Sequence, residues 1–221
     1  MGSPGRGSPG RRPDRPGRRA GVTGREGNGP ASLYAGVVQG ATVEGVRIAW
    51  ARTAPDDRRE TGRALIRALA AELAPGADPR IEQRCPVCGG PHGRPLLPHA
   101  LLLASAAYAD PWVVVAVARE QDAEAVGIDV ELEGSAPELS LLFAPGDPPD
   151  LRGWTAIEAA LKADGRGLLV PPDQVRLSPD GYATVPDGGE FRILPIAAAP
   201  GTIVSLALRR PRPSPPPTHR P

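Results

Sequence analysis

The stretch AEAVGIDVELE, residues 123–133, decides how this chain is read. Its apolar residues and flanking polar positions predict a strand, and side chains along a strand alternate between two faces. Ile128 and Val130 then point into a core. Asp129 and Glu131 share the opposite face. Two carboxylates on one face of an otherwise buried strand repel each other unless a cation lies between them. A hard divalent ion such as Mg²⁺ suits that task, because it takes one or two carboxylates and leaves its remaining places to water and substrate phosphate. The alternative is a strand end whose polar face meets solvent, the commoner fate of a bare D-x-E pair.

Downstream, GWTAIEAALKADGRGL (153–168) holds Lys162, the only lysine among 26 Lys and Arg residues. The pattern LRGWTAIEAALKADGRG predicts a helix ending at Gly165 or Gly167. Glu158 and Lys162 are four apart and therefore neighbours on one helix face. Trp154, Leu161 and the alanines mark the packed side. As a surface pair, Glu158 and Lys162 would stabilise the helix by about 0.2–0.5 kcal/mol. As functional groups, Glu158 adds a third carboxylate to a metal site, and Lys162 offers a point charge to a phosphate.

Upstream, CPVCGGPHGRP (85–95) is a loop rich in glycine and proline. Its end holds Arg94 on a constrained backbone, suited to bidentate phosphate contact. Cys85, Cys88 and His92, with His99 as a fourth, also offer zinc ligands, although structural zinc sites usually show two complete ligand pairs.

The rest of the chain frames these pieces. SLYAGVVQG (32–40) and VEGVRIAWAR (43–52) read as strands. DDRRETGRALIRALAAELA (56–74) reads as a helix, with Ala64, Leu65, Leu69 and Leu73 on one face. PWVVVAVARE (111–120) reads as a buried strand. DQVRLS (173–178), GYATV (181–185), FRILPIA (191–197) and TIVSLALRR (202–210) read as further strands. Each half thus supplies strands and one long helix, and an α+β fold of two similar packed halves is expected.

Composition sets outer bounds. The 221 residues carry a formal net charge of +1, so no global field points to nucleic acid or a membrane. Residues 1–30 hold little to bury and are expected to form a disordered basic tail. Residues 210–221 are expected to be a proline-rich tail. Between them lie an expected N-terminal subdomain, 31–122, and a C-terminal subdomain, 123–209, with the metal site. The start lacks the apolar core of a signal peptide, and the longest apolar runs fall short of a membrane span. A cytoplasmic protein is expected.

In this order, HGRP (92–95), GIDVE (127–131) and WTAIEAALK (154–162) resemble the motifs of the 4′-phosphopantetheinyl transferases, pseudo-dimeric surfactin-synthetase-activating type. The resemblance covers roughly residues 55–205. It implies two similar α+β subdomains with a coenzyme A cleft between them. It implies that Asp129, Glu131 and Glu158 hold Mg²⁺ on the coenzyme A pyrophosphate. Lys162 would contact that phosphate and Arg94 the 3′-phosphate, with Arg58 helping; Ser105 falls in the family's Ser-His-Ser segment. The implied reaction transfers 4′-phosphopantetheine to a serine of an acyl or peptidyl carrier protein and releases 3′,5′-ADP, with Glu158 as base. The resemblance further implies secondary-metabolite biosynthesis. Two such halves can form the cleft within one chain, so a monomer is expected, and with a net charge of +1 no membrane or nucleic-acid partner is expected. Two positions depart from the pattern. Ala106 falls where the family has histidine, and Ile157 stands where it has a basic residue. They leave a second reading open, a non-catalytic homologue that binds coenzyme A or a carrier domain. A zinc-dependent interaction module built on the two cysteines and two histidines is the third.

Overall fold

The computed structural model describes residues 39–85, 87–143 and 146–211, all within one compact unit, Gly36–Pro221. The expected tail 1–30, most of the strand expected over 32–40, and all but the first two residues of the tail 210–221 lie outside the described residues.

The protein is α+β, with two five-stranded antiparallel sheets and few helices. The first sheet contains β1 (Gln39–Val43), β2 (Val46–Arg52), β3 (Leu96–Leu97), β4 (Leu102–Ala109) and β5 (Trp112–Arg119), in the order β1-β2-β5-β4-β3. The second contains β6 (Ala125–Leu132), β7 (Arg176–Leu177), β8 (Tyr182–Val185), β9 (Gly189–Ile196) and β10 (Thr202–Arg209), in the order β6-β10-β9-β8-β7. Helix α1 (Arg58–Leu73) belongs to the first half. The one-turn α2 (Ser140–Phe143) and the long α3 (Leu151–Asp164) belong to the second. No helix among the described residues is long and apolar enough to cross a membrane.

Alternation along β5 explains the layering. Val113, Val115 and Val117 pack with Leu65, Ile66 and Leu69 of α1. Val114, Ala116 and Ala118 face the other way, into a core shared with Val126, Ile128 and Val130 of β6 and Val204, Leu206 and Leu208 of β10. Residues 113–118 are fully buried, which is why the strand reads as an unbroken apolar run. A third core joins α3 to the second sheet through Trp154, Ile157 and Leu161 against Ala183, Val185 and Phe191. Each sheet thus carries one long helix on one face and meets the other sheet on its opposite face. At roughly 1.5–3 kcal/mol per buried large apolar side chain, these three cores supply the main driving force for folding.

Strand β4 was not anticipated. Its sequence, LLASAAYA, is rich in alanine, which has little intrinsic preference for strands. Tertiary context overrides that. β4 pairs with the valine-rich β5 over its whole length. Its small residues also let the edge strand β6 approach, and the Ile128 N–H donates to Ser105 Oγ at 3.0 Å.

Helix α3 starts at an N-cap where Asp150 accepts from the Gly153 N–H at 2.7 Å. It stops at Gly165, whose φ of 92° is the left-handed conformation that ends helices.

Candidate functional site

The site begins with a glycine. On β6, Ala125, Gly127, Asp129 and Glu131 share the face toward α3. A side chain at Gly127 would fall on the backbone of Ala159 and Ala163. With no side chain there, α3 lies directly on the strand. Glu158 and Lys162, each one residue before a contacting alanine, are thereby carried to Asp129.

Lys162 Nζ lies 2.5 Å from Asp129 Oδ1 and 3.6 Å from Glu158 Oε2. The Asp129 side chain is 4% exposed, Glu158 23% and Lys162 31%. Burial pushes the Asp129 carboxyl up to about 7. The Lys162 ammonium opposes that shift and the Glu158 carboxylate adds to it. Burial works against the charged form of Lys162, but Asp129 and Glu158 outweigh it and hold the ammonium above its ordinary value. Two carboxylates therefore share one ammonium. Asp129 Oδ2 is buried and has no hydrogen-bond partner.

Glu131 lies further along the same strand, half-buried. The structure brings Asp129 and Glu158 together around Lys162. Among the described residues, Asp129, Glu131 and Glu158 do not form a group whose ligand oxygens all lie within 4.8 Å of one another.

Beside Lys162 opens a cavity of about 540 Å³, bordered by Arg94, Ser105, Ala106, Gly165 and Leu168. Of the residues singled out in the sequence, Arg94, Ser105 and Lys162 all reach this one space. Arg94 sits against the end of α3, where a side chain added at Gly165 would lie 3.4 Å from its Nη1. Its Nε is buried without a partner. Burial, then the neighbouring Arg209 charge, hold the guanidinium below its ordinary value. Among the described residues Arg94 makes no ion pair, so its charge remains available to an anion. Ser105 is nearly buried; its oxygen accepts from Ile128, and its own O–H remains a donor.

A second cavity, of about 350 Å³, shares His92 and Gly93 with the first and is bordered by Arg58, Arg59 and Tyr108. Arg58 is half exposed and only 4.0 Å from Asp110 Oδ1. Burial raises the Tyr108 phenol, while the charges of Arg63, Arg59, Lys162 and Arg58 oppose the rise. Cations from α1 and α3 therefore converge on the side chain of β4. Sequence reasoning missed Arg59 and Tyr108. The adjacent pair Arg58-Arg59 was visible, but the strand carrying Tyr108 was not.

Ala106 borders the larger cavity where the resemblance puts a histidine. Ile157, in the place of a basic residue, is 3% exposed and belongs to the core of α3 and the second sheet.

The Cys85 and Cys88 sulfurs and a His92 ring nitrogen lie within 4.8 Å of one another. His99 is exposed and not among them.

The chain matches no protein-family model and no curated protein.

Proposed function

We propose that this protein is a Mg²⁺-dependent 4′-phosphopantetheinyl transferase that moves phosphopantetheine from coenzyme A to a carrier-protein serine. The observation that carries the reading is the buried, unpartnered Asp129 Oδ2, with two carboxylates sharing one ammonium beside a cavity that also holds Arg94.

The donor set fits a hard divalent cation. Once Asp129 is ionised, it and Glu158 leave one negative charge uncompensated by Lys162, and an orphaned carboxylate oxygen is the type of ligand such an ion takes. Asp129 and Glu158 would hold it, with Glu131 on the same strand face. When bound, the ion supplies charge neutralisation on the pyrophosphate. Phosphoryl-type transfer needs alignment and charge compensation more than covalent help from the enzyme. Arg94 and Ser105 offer a cation and a donor to coenzyme A phosphate, and Arg58 extends the positive surface into the adjoining cavity. Lys162 follows the transferred phosphate as its charge moves, because an ammonium on a flexible stem needs no fixed fork. Glu158 takes the serine proton. The two helix-backed sheets suit the pseudo-dimeric arrangement, with the cavity beside Lys162 as part of the coenzyme cleft.

The test is a carrier-loading reaction with coenzyme A and an apo carrier protein, followed by mass spectrometry with Mg²⁺ and with chelator. A Mg²⁺-dependent mass gain of one phosphopantetheine is expected. Coenzyme A binding without transfer would favour the non-catalytic homologue, which the loss of two cations, at Ala106 and Ile157, supports.

A further inference from the structure

We propose that Cys85, Cys88 and His92 form a zinc site, with a water completing the tetrahedron, and that the metal fixes the loop carrying Arg94. The inference does not rest on the transferase reading; it concerns residues that the transfer chemistry leaves unused.

The local backbone is already wound as a ligand turn. Cys85 N–H donates to the Gly90 carbonyl, Gly89 N–H to the Cys85 carbonyl, and His92 N–H to the Gly90 carbonyl, each at 2.9 Å. Gly89 has a φ of 70°, which permits the reversal between the second cysteine and the histidine. Gly90 N–H donates to Cys88 Sγ at 3.4 Å. Such N–H···S contacts neutralise part of the charge that two thiolates bring to a metal.

The donor geometry is close to what the ion requires. Cys88 Sγ and His92 Nε2 are 3.0 Å apart. With Zn–S near 2.3 Å and Zn–N near 2.0–2.1 Å, a tetrahedral pair of these donors stands roughly 3.6 Å apart. The pair therefore has to open by only about half an ångström, with no change of fold. Two thiolates and an imidazole are borderline-soft donors, which favour zinc over the hard ion proposed for the carboxylates. The cysteine spacing C-x₂-C is a usual one for zinc. Both cysteines are free, and Cys85 and His92 border the cavity that holds Arg94. One residue, Gly93 (φ 109°), separates His92 from Arg94. A metal bond to His92 thus anchors the backbone beside the cation.

The experiment uses untagged full-length protein purified under reducing conditions and exchanged against a weak chelator. Elemental analysis is expected to find about one zinc per chain. Cys88→Ser and His92→Ala are each expected to lower zinc affinity by at least about tenfold in competition with a chromophoric chelator, and His99→Ala to leave it unchanged. If the cysteine variants do not fold, Co²⁺ substitution of the parent reads the site directly: a thiolate charge-transfer band with intense tetrahedral d–d absorption is expected. A protein that neither retains nor binds added zinc overturns the proposal. So does full zinc in a Cys85→Ser/Cys88→Ser/His92→Ala variant, or the weak absorption of octahedral cobalt.

Discussion

Lys162 Nζ stands 2.5 Å from Asp129 Oδ1, so the only lysine in the chain pairs with the most deeply buried carboxylate among the described residues. The pair joins α3 to β6 and makes Lys162 a structural as well as a chemical group. Removing one partner of a buried pair leaves the other uncompensated, at a cost of about 3–5 kcal/mol. Lys162→Met is therefore expected to lower stability by that order in chelator-containing buffer at pH 8. Adding Asp129→Asn in the same chain is expected to recover most of the loss. Denaturant unfolding of both single variants and the double variant checks this; additive losses would show that the two groups do not interact.

Transfer is expected to vanish in Asp129→Ala and Glu158→Ala while far-ultraviolet circular dichroism stays that of the parent. Lys162→Arg is expected to lose less activity than Lys162→Ala, since it keeps a cation. Initial rates of carrier loading decide both. A parent-like rate in Asp129→Ala would remove the metal assignment, and equal losses in the two Lys162 variants would show that charge alone is not what the site uses.

The Asp129 carboxyl, ordinarily at 3.8, titrates at about 7 in the folded protein because it is buried, with Lys162 opposing and Glu158 reinforcing the shift. Between those values the folded state keeps a proton that the unfolded chain has released. The stability this group contributes is whole below 3.8 and is lost as pH rises toward about 7. The stability of Asp129→Asn relative to the parent is thus expected to increase over that interval and level off above it. Urea titrations across the pH range, without divalent ions, measure the difference; a constant offset would contradict the raised value.

Gly127→Ala is expected to cost at least about 1–3 kcal/mol, the usual range for overpacking, because its methyl group meets helix backbone rather than a movable side chain. Pushing α3 away also separates Lys162 and Glu158 from Asp129. Thermal unfolding and loading rate are expected to fall together, and an unchanged unfolding midpoint would mean that the helix does not rest on the strand.

Arg94→Ala is expected to raise KM for coenzyme A by about tenfold or more, on the scale of one charge-assisted hydrogen bond. Its unfolding midpoint is not expected to drop, since Arg94 has no carboxylate partner among the described residues. Steady-state kinetics beside a melting curve separates the two effects.

Much of the site was legible because local periodicity carries it. Asp129 and Glu131 share a strand face by alternation, and Glu158 and Lys162 share a helix face by their four-residue spacing; both elements formed as expected. Of the two glycines expected to end α3, Gly165 and Gly167, the helix uses Gly165. Strand β4 was hidden, because Leu102–Ala109 has neither strand propensity nor a clean alternation, and only pairing with β5 reveals it. Tyr108 was hidden with it, although the arginines of α1 whose charges act on it could be read from the sequence.

By itself, the sequence determined which residues could share a face and, to within a few residues, the extent of the two long helices, because those rules operate over a few bonds. Only the tertiary structure decided that Lys162 would turn to Asp129, that the ligand oxygens of Asp129, Glu131 and Glu158 would not all come within 4.8 Å of one another, and that Arg94 would border the same cavity. These outcomes depend on how closely α3 settles on β6, which Gly127 and the backbone of Ala159 and Ala163 set across more than thirty residues of chain. Contact over that span follows from packing, and no local pattern encodes it.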